Sequence, residues 1–340
     1  MIYRSKAPLR IGLAGGGTDV SPYSDQFGGA ILNATVSLFA YANIELLKEN
    51  KIIVQALDRK EEQHFDLSPE LLIDGKLDLL KGVYNRIKKN YGMPATGFRL
   101  STFVDAPAGS GLGTSSTLVV AIIGAFVEWL KLPLGDYDIA HYAYQIERKD
   151  LKLTGGKQDQ YAAMFGGVNF MEFYEDDKVI VNPLRIKPEY LHELENNLVL
   201  YFTATSRESA SIINEQVKNV NSKNEKSIEA MHRLKEQARM MKEALLKGRL
   251  DEFGEILDFG FQQKRRMAHN ISNSRIEEIY EAAKKAGATG GKISGAGGGG
   301  FMIFYCPGNT HHAVADKLKE FGGEVKNYTF TKYGLTTWCA

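Results

Sequence analysis

The amino-acid sequence predicts an α+β protein of two domains, and three observations carry that expectation. At 340 residues the chain exceeds what one hydrophobic core organises, roughly 150 residues being usual for a domain. Its first hundred residues are rich in strand chemistry, whereas from Ser116 the apolar residues recur at helical spacing. The second half mixes both patterns, after an acidic turn at Glu175-Asp176-Asp177 that marks the approach to a boundary. The expected division is 1–180 and 181–340.

Residues 10–14, 30–47, 51–57 and 97–104 are β-branched, aromatic or aliphatic runs bounded by Gly, Asn or Asp, which suits pleated, packed strands. The stretch from Ser116 to about Lys131 reads as a helix. Its apolar run, Leu118 to Val127, is far short of the roughly 20 residues that cross a bilayer and implies burial on most sides. Leu132-Pro133-Leu134-Gly135 ends that helix, and Asp136 is placed to cap another to about Lys149. There Ala140, Ala143, Tyr144 and Glu147 fall at i, i+3, i+4 and i+7, which sets one carboxylate on a mostly apolar face. Strands are expected at Val168 to Phe173 and at 198–203, 300–305 and 324–329. Ile228, Met231, Leu234, Ala238, Met241 and Leu245 describe an amphipathic helix that Gly248 ends, and Gly287 closes another over Ile276 to Ala286. The polar stretch Asn219 to Lys226 reads as a loop.

Composition excludes several classes of function. With 42 basic against 41 acidic side chains there is no electrostatic footprint for nucleic acid. Cys306 and Cys339 are distant from each other and from any His pair at ligand spacing, which argues against a disulfide framework or a zinc site. Met1 to Lys6 interleaves charged and apolar residues, unlike a signal peptide, and no membrane span is expected, so the sequence suits a reducing cytoplasm.

Glycine makes up 34 of the residues, and its concentration in three segments is the informative feature. Pro107-Ala108-Gly109-Ser110-Gly111-Leu112-Gly113-Thr114-Ser115-Ser116 runs directly into the apolar helix. Glycines let backbone approach a ligand closely, and the unpaired amides of a helix start, reinforced by its macrodipole, attract phosphate oxygens. The segment lacks the Gly-Lys-Ser/Thr ending of a Walker A loop and does not continue as a dinucleotide fingerprint. A phosphate cradle of another kind is implied.

These residues resemble the second motif of the GHMP kinases, Pro-x-x-x-Gly-Leu-Gly-Ser/Thr-Ser. Lys6-Ala7-Pro8-Leu9-Arg10 through Gly15-Gly16-Gly17-Thr18-Asp19 resembles that family's first motif, and Lys292-Ile293-Ser294-Gly295-Ala296-Gly297-Gly298-Gly299-Gly300 its third. The three occur in family order across essentially the whole chain. The resemblance implies a ribosomal-protein-S5-like amino-terminal domain and a ferredoxin-like carboxy-terminal domain, with ATP, Mg2+ and a sugar meeting between them. It assigns ATP to Pro107, Gly109, Ser110, Gly111, Leu112, Gly113, Thr114, Ser115 and Ser116, and the metal to Ser115 and Glu147. Asp159 matches the aspartate at the attacking hydroxyl, as general base or as orienting group, and Arg10 stands near the transferred phosphoryl where several relatives have lysine. The acceptor is assigned to Gly16, Gly17, Thr18, Asp19, Gly156, Lys157, Gly297, Gly298 and Arg207.

Read without the family, Asp159 also suits a helix cap, Glu147 an ion pair with Arg148 or Lys149, Asp19 an Asx turn and the third segment a hinge. Gly15 to Tyr23 with Gly156 to Tyr161 looks most like the branch that phosphorylates the anomeric oxygen of D-glycero-D-manno-heptose 7-phosphate. Other sugars such as L-fucose or galactose, a non-catalytic sugar sensor and a diphosphomevalonate decarboxylase are the competing readings. A sugar phosphate needs a basic pocket, for which Arg207 and the cluster Lys264-Arg265-Arg266 are candidates, the latter equally suited to a solvated helix face. His269 and Asn270 are further candidates for the sugar site.

Overall fold

Alternation along the strands of two sheets decides how the molecule is layered. The structure is a computed structural model that describes residues 1–67, 70–205 and 209–340. In chain order the first part comprises β1 (Ile2–Ala14), α1 (Tyr23–Phe27), β2 (Gly29–Leu46), β3 (Lys51–Ala56), β4 (Glu61–Asp66), α2 (Asp78–Tyr91) and β5 (Phe98–Val104). Then come α3 (Thr114–Leu130), α4 (Asp136–Gln145), a π-helical turn over Ile146–Asp150, α5 (Gln158–Phe165), β6 (Val168–Phe173) and β7 (Val179–Pro183). The second part holds α6 (Pro188–Asn197), β8 (Leu198–Phe202), α7 (Ser209–Asn221), α8 (Glu225–Lys247), α9 (Phe253–Lys264) and α10 (Ser274–Ala286). It ends with β9 (Gly290–Ile293), β10 (Phe301–Tyr305), α11 (His311–Lys319), β11 (Glu324–Lys326) and β12 (Thr336–Cys339).

The larger sheet runs β12-β1-β2-β5-β3-β4, with β6 and β7 continuing from the long β2, and only β3 and β5 pair in parallel. Ala40, Ala42 and Ile44 of β2 face a core filled by α3, where Val119 to Phe126 are buried as the apolar run predicts. Leu32, Ala34 and Val36, with Leu9, Ile11 and Leu13 of β1, enter a second core shared with the other lobe. The smaller sheet, β11-β8-β10-β9, is wholly antiparallel. Its residues divide with period two: Leu198, Leu200, Phe301 and Ile303 face the shared core, while Val199, Tyr201, Met302 and Phe304 face α8, α10 and α11. The two lobes are thus joined by apolar packing, leaving a cleft where β1, α3, α5 and α9 converge.

Several boundaries differ from expectation for identifiable reasons. β1 starts at Ile2, because β12 lies antiparallel beside its polar first half, from Tyr3 opposite Cys339 to Lys6 opposite Thr336. The division expected at 180 falls inside β7, and the chain end returns to the large sheet. β4 carries charge along an edge, which blunts pairing with another chain and removes the apolar signature of a strand. The loop expected over 219–226 shrinks to residues 222–224, since Asn224 Oδ1 accepts from the Ser227 amide and starts α8. Among the described residues no helix is long and apolar enough to cross a membrane.

Candidate active site

The phosphate loop combines alternate left-handed glycines with a helix start. Gly109, Gly111 and Gly113 have φ of 72°, 84° and 76°, so successive amides turn toward one concavity, and α3 begins at Thr114 with no side chain capping it. The third glycine segment presses on this loop as a buttress. Ser294 Oγ donates to the Gly111 carbonyl at 2.9 Å and the Phe301 amide to the Ser110 carbonyl at 2.8 Å. A β-carbon at Gly111 would lie 2.6 Å from the Ser294 oxygen, and one at Gly295 would lie 2.6 Å from Gly111 Cα. Only hydrogen fits between these backbones. The hinge reading therefore gives way to close packing.

Arg10 ties the loop to the opposite wall. Its Nε donates to Asp159 Oδ1 at 2.6 Å, and its Nη1 donates to the Gly111 carbonyl at 2.7 Å. A planar fork serves both directions at once, which a lysine ammonium on the same strand does with less directional control. Asp159 lies in the first turn of α5, whose own N-cap residue, Lys157, makes no side-chain cap bond. Asp19 reaches across instead, its Oδ2 accepting from the amides of Lys157 at 2.9 Å and Gln158 at 3.1 Å. Asp159 is thereby released from capping and faces the cavity. Burial raises the Asp19 carboxyl above the ordinary range, Asp159 adds to the rise, and the Gln158 amide and Arg10 oppose it.

Glu147 sits on the π turn, fully buried. Its Oε1 accepts from Ser115 Oγ at 2.8 Å and its Oε2 from Gln160 Nε2 at 2.5 Å. The expected ion pair with Arg148 is present at 3.7 Å, while Lys149 pairs with Asp177, so the carboxylate addresses both Ser115 and one neighbouring cation. Widened turns of this kind recur where a helix must redirect a functional side chain. A cavity of about 290 Å³ is lined by Arg10, Asp19, Gly111, Thr114, Ser115, Gly156, Asp159, Lys264, Gly295 and neighbours, so both phosphate-loop and acceptor residues open on one space.

Residues 78–167 match the GHMP kinases N terminal domain and residues 241–324 the GHMP kinases C terminal domain. The chain is a GHMP kinase. It is 47% identical to the D-glycero-alpha-D-manno-heptose 7-phosphate kinase of Campylobacter jejuni over 98% of both chains. The crystal structure of a D-glycero-D-manno-heptose 1-phosphate kinase from Bacteroides thetaiotaomicron superposes with a TM-score of 0.85 at 46% identity, covering 99% of both chains. The bifunctional fucokinase/GDP-fucose pyrophosphorylase of Arabidopsis thaliana is 25% identical over 97% of this chain and 32% of its own length. This kinase is a phosphotransferase acting on a sugar, and ATP is its phosphoryl donor.

In this GHMP kinase the expected site residues divide. Gly109, Gly111, Gly113, Thr114, Ser115, Ser116, Arg10, Asp159, Gly17, Asp19 and Gly156 line the cavity. Pro107, Ser110 and Leu112 shape the loop without lining it: the Pro107 carbonyl accepts from the Ser110 amide, and Leu112 is buried in the core shared by the lobes. Gly16 packs behind the wall beside Lys264. Thr18 turns inward, its hydroxyl donating to the carbonyls of Gly15 and Ala30. Lys157 leaves the cavity altogether, pairing with Asp25 at 3.1 Å and Asp177 at 3.3 Å. Gly297 and Gly298 back onto Ile271, and Gly295 and Ala296 take their place at the cavity. Arg207 lies outside the described residues.

Of the basic cluster, Arg265 pairs with Glu277 and Arg266 with Gln263, and only Lys264 reaches the cavity. His269 is exposed and pairs with Glu215, and Asn270 is exposed as well. Phe253, Ile256, Leu257, Gly260, Phe261 and Lys264 form one buried helical face, and a lysine that ends such a face is directed inward. Gln158, inside the segment 156–161, also lines the cavity, as do Arg148, Thr154 and Gln216, which carry no motif of their own.

Proposed function

We propose that this kinase transfers the γ-phosphoryl group of ATP to the anomeric oxygen of D-glycero-D-manno-heptose 7-phosphate, giving the 1,7-bisphosphate for nucleotide-activated heptose synthesis. The observation that carries the reading is Asp159, held through Oδ1 by Arg10 and set in one cavity with the phosphate loop and Asp19. Among the described residues Arg10 engages only Oδ1, which leaves Oδ2 to receive the hydrogen bond of the acceptor hydroxyl. As the new P–O bond forms and the bond to ADP breaks, the hydroxyl proton passes toward that carboxylate. Arg10 holds Asp159 in place and brings positive charge to the transferred group, while the amides of residues 109–116 carry the phosphates.

Ser115 and Glu147 fit a magnesium ion. They supply a hydroxyl and a carboxylate within hydrogen-bond distance of each other. That pairing suits Mg2+, which is held by one or two protein oxygens together with phosphates and water. When bound, the ion would neutralise β- and γ-phosphate oxygens. The relatives support a heptose phosphate as acceptor while their names differ in the position of its phosphate.

The deciding experiment is an ADP-coupled assay with free heptose, its 1- and 7-phosphates, L-fucose, galactose and N-acetylated hexosamines, followed by phosphorus NMR of the product. The expected result is selective turnover of the 7-phosphate with a new phosphorus signal coupled to the anomeric proton. Phosphate appearing on a primary oxygen, or selective turnover of a free hexose, overturns the assignment, and no ADP release with any sugar indicates a sensor.

A further inference from the structure

Cations outnumber carboxylates on the acceptor side of the cavity. Arg10, Lys264 and Lys292 lie close enough to influence one another, and Asp19 and Asp159 are the acids beside them. Arg10 is matched by Asp159. Lys292 is buried behind the wall and donates to the Gly12 carbonyl at 2.5 Å. Lys264 is 3% exposed yet forms part of the cavity wall, and its one hydrogen bond among the described residues is to the Gly295 carbonyl. An ammonium has three donors, so two remain.

Among the described residues Asp19 makes no ion pair with Lys264: its Oδ2 accepts from the amides that start α5, and its Oδ1 faces Gln158 Nε2 at 3.5 Å. Arg148, another cation of the wall, already donates to the carbonyls of Leu153 and Gly156 and lies beside Glu147. A buried charge without a partner is costly, and a site that keeps one gains most from a ligand of opposite sign. Burial first, and Arg10 second, push Lys264 down to about 8, with Asp19 opposing. An anion at the ammonium would reverse that shift.

We infer that Lys264 is the residue that binds the phosphate already carried by the acceptor, and so sets the preference for a phosphorylated over a free sugar. This rests on the reading of a heptose phosphate as acceptor. A terminal phosphate group at Lys264 is either the monoester of the sugar or the γ-phosphate of ATP. The surroundings favour the sugar: Lys264 Nζ lies against Gly16, 3.6 Å from where a β-carbon there would stand, and interacts with Asp19, both in the segment assigned to the acceptor.

The test uses Lys264→Met, which keeps the length of the side chain and suits a buried position, and Lys264→Arg, which restores charge. Thermal melting of both first establishes folding. Steady-state kinetics with wild type and variants then compare heptose 7-phosphate with free heptose. In Lys264→Met, KM for the phosphorylated sugar is expected to rise on the order of 10²-fold, the scale of a lost charge-assisted pair. KM for ATP is expected to hold, selectivity over free heptose to collapse, and Lys264→Arg to recover part of it.

A second readout avoids turnover: heptose 7-phosphate without ATP should raise the melting temperature of wild type and not of Lys264→Met. A raised KM for ATP with unchanged sugar selectivity assigns Lys264 to the nucleotide and overturns the inference. Unchanged kinetics also overturn it. Failure of the wild type to prefer any phosphorylated sugar instead rejects the acceptor assignment beneath it, so the two failures are told apart by the wild-type comparison alone.

Discussion

The wall where we place the nucleotide is one stretch of backbone, residues 109–116, whereas the wall where we place the acceptor gathers side chains from β1, the segment after it, α5 and α9. The first kind of wall shows in a sequence as a run of glycine, because the conformation itself is the functional element. The second kind shows only as scattered charges whose meaning depends on where the chain folds. A substitution on the first wall changes backbone shape, and one on the second changes charge or hydrogen bonding at a single point.

The sharpest way to break this division is at Asp159, where the two walls meet through Arg10. Asp159→Asn is expected to lower kcat by roughly 10²- to 10⁴-fold. The Kd for ATP, read by calorimetry, should hold, and a matching loss of ATP affinity would show that the walls are not separable. Next in size is Gly111→Ala, which places a β-carbon at φ 84° against the Ser294 oxygen. Strain of about 1–3 kcal/mol should weaken ATP binding by roughly 10- to 10²-fold. An equal change in sugar KM would contradict a purely nucleotide-side role.

Ser115→Ala tests the metal edge of the same wall. The Mg2+ concentration for half-maximal rate is expected to rise by roughly tenfold, and an unchanged metal titration would remove Ser115 as a ligand. The smallest effect on turnover is expected from behind the acceptor wall, at Lys157, where stability is read instead. Lys157→Met should lower stability by roughly 1–3 kcal/mol, its two acids keeping some access to water.

Acid conditions supply a second readout for that variant. Burial pushes Asp25 and Asp177 up, but hydrogen bonds from Ser21, Ser24 and Lys157 to the former outweigh it. Lys149, Lys157 and Tyr144 do the same for the latter, so both titrate below their ordinary value of 3.8. Their contribution to stability is present above that value and is lost as pH falls through the lower folded values. Chemical denaturation between about pH 5 and 2 should therefore show a shallower acid slope in Lys157→Met than in wild type. Equal slopes would mean that the other hydrogen-bond donors carry the shift.

Much of this was legible before folding. The apolar run Leu118 to Val127, the cap at Gly248 and the carboxylate of Glu147 on an apolar face each report a local rule that tertiary packing respects. Lys157 was not, because an isolated lysine beside two glycines looks like a ligand until Asp25 and Asp177 are brought to it from distant positions. Gly297 and Gly298 share the motif of Gly295, yet positive φ at both, and the approach of Ile271 at Gly297, account for their lack of side chains. Asp19 keeps a place in the cavity, but its most definite work is at the amides of Lys157 and Gln158, a partnership that spacing along the chain cannot announce.

The return of β12 to the side of β1 makes the smaller lobe a loop of the larger one, fastened where the chain leaves after β7 and again where it comes home. At the second crossing the Ser37 amide donates to the Thr329 carbonyl and the Thr331 amide to the Thr35 carbonyl, both at 2.9 Å. With the apolar core that both lobes share, these two crossings fix how the walls of the cleft face each other, so the spacing between phosphate loop and acceptor side is set by the fold as a whole.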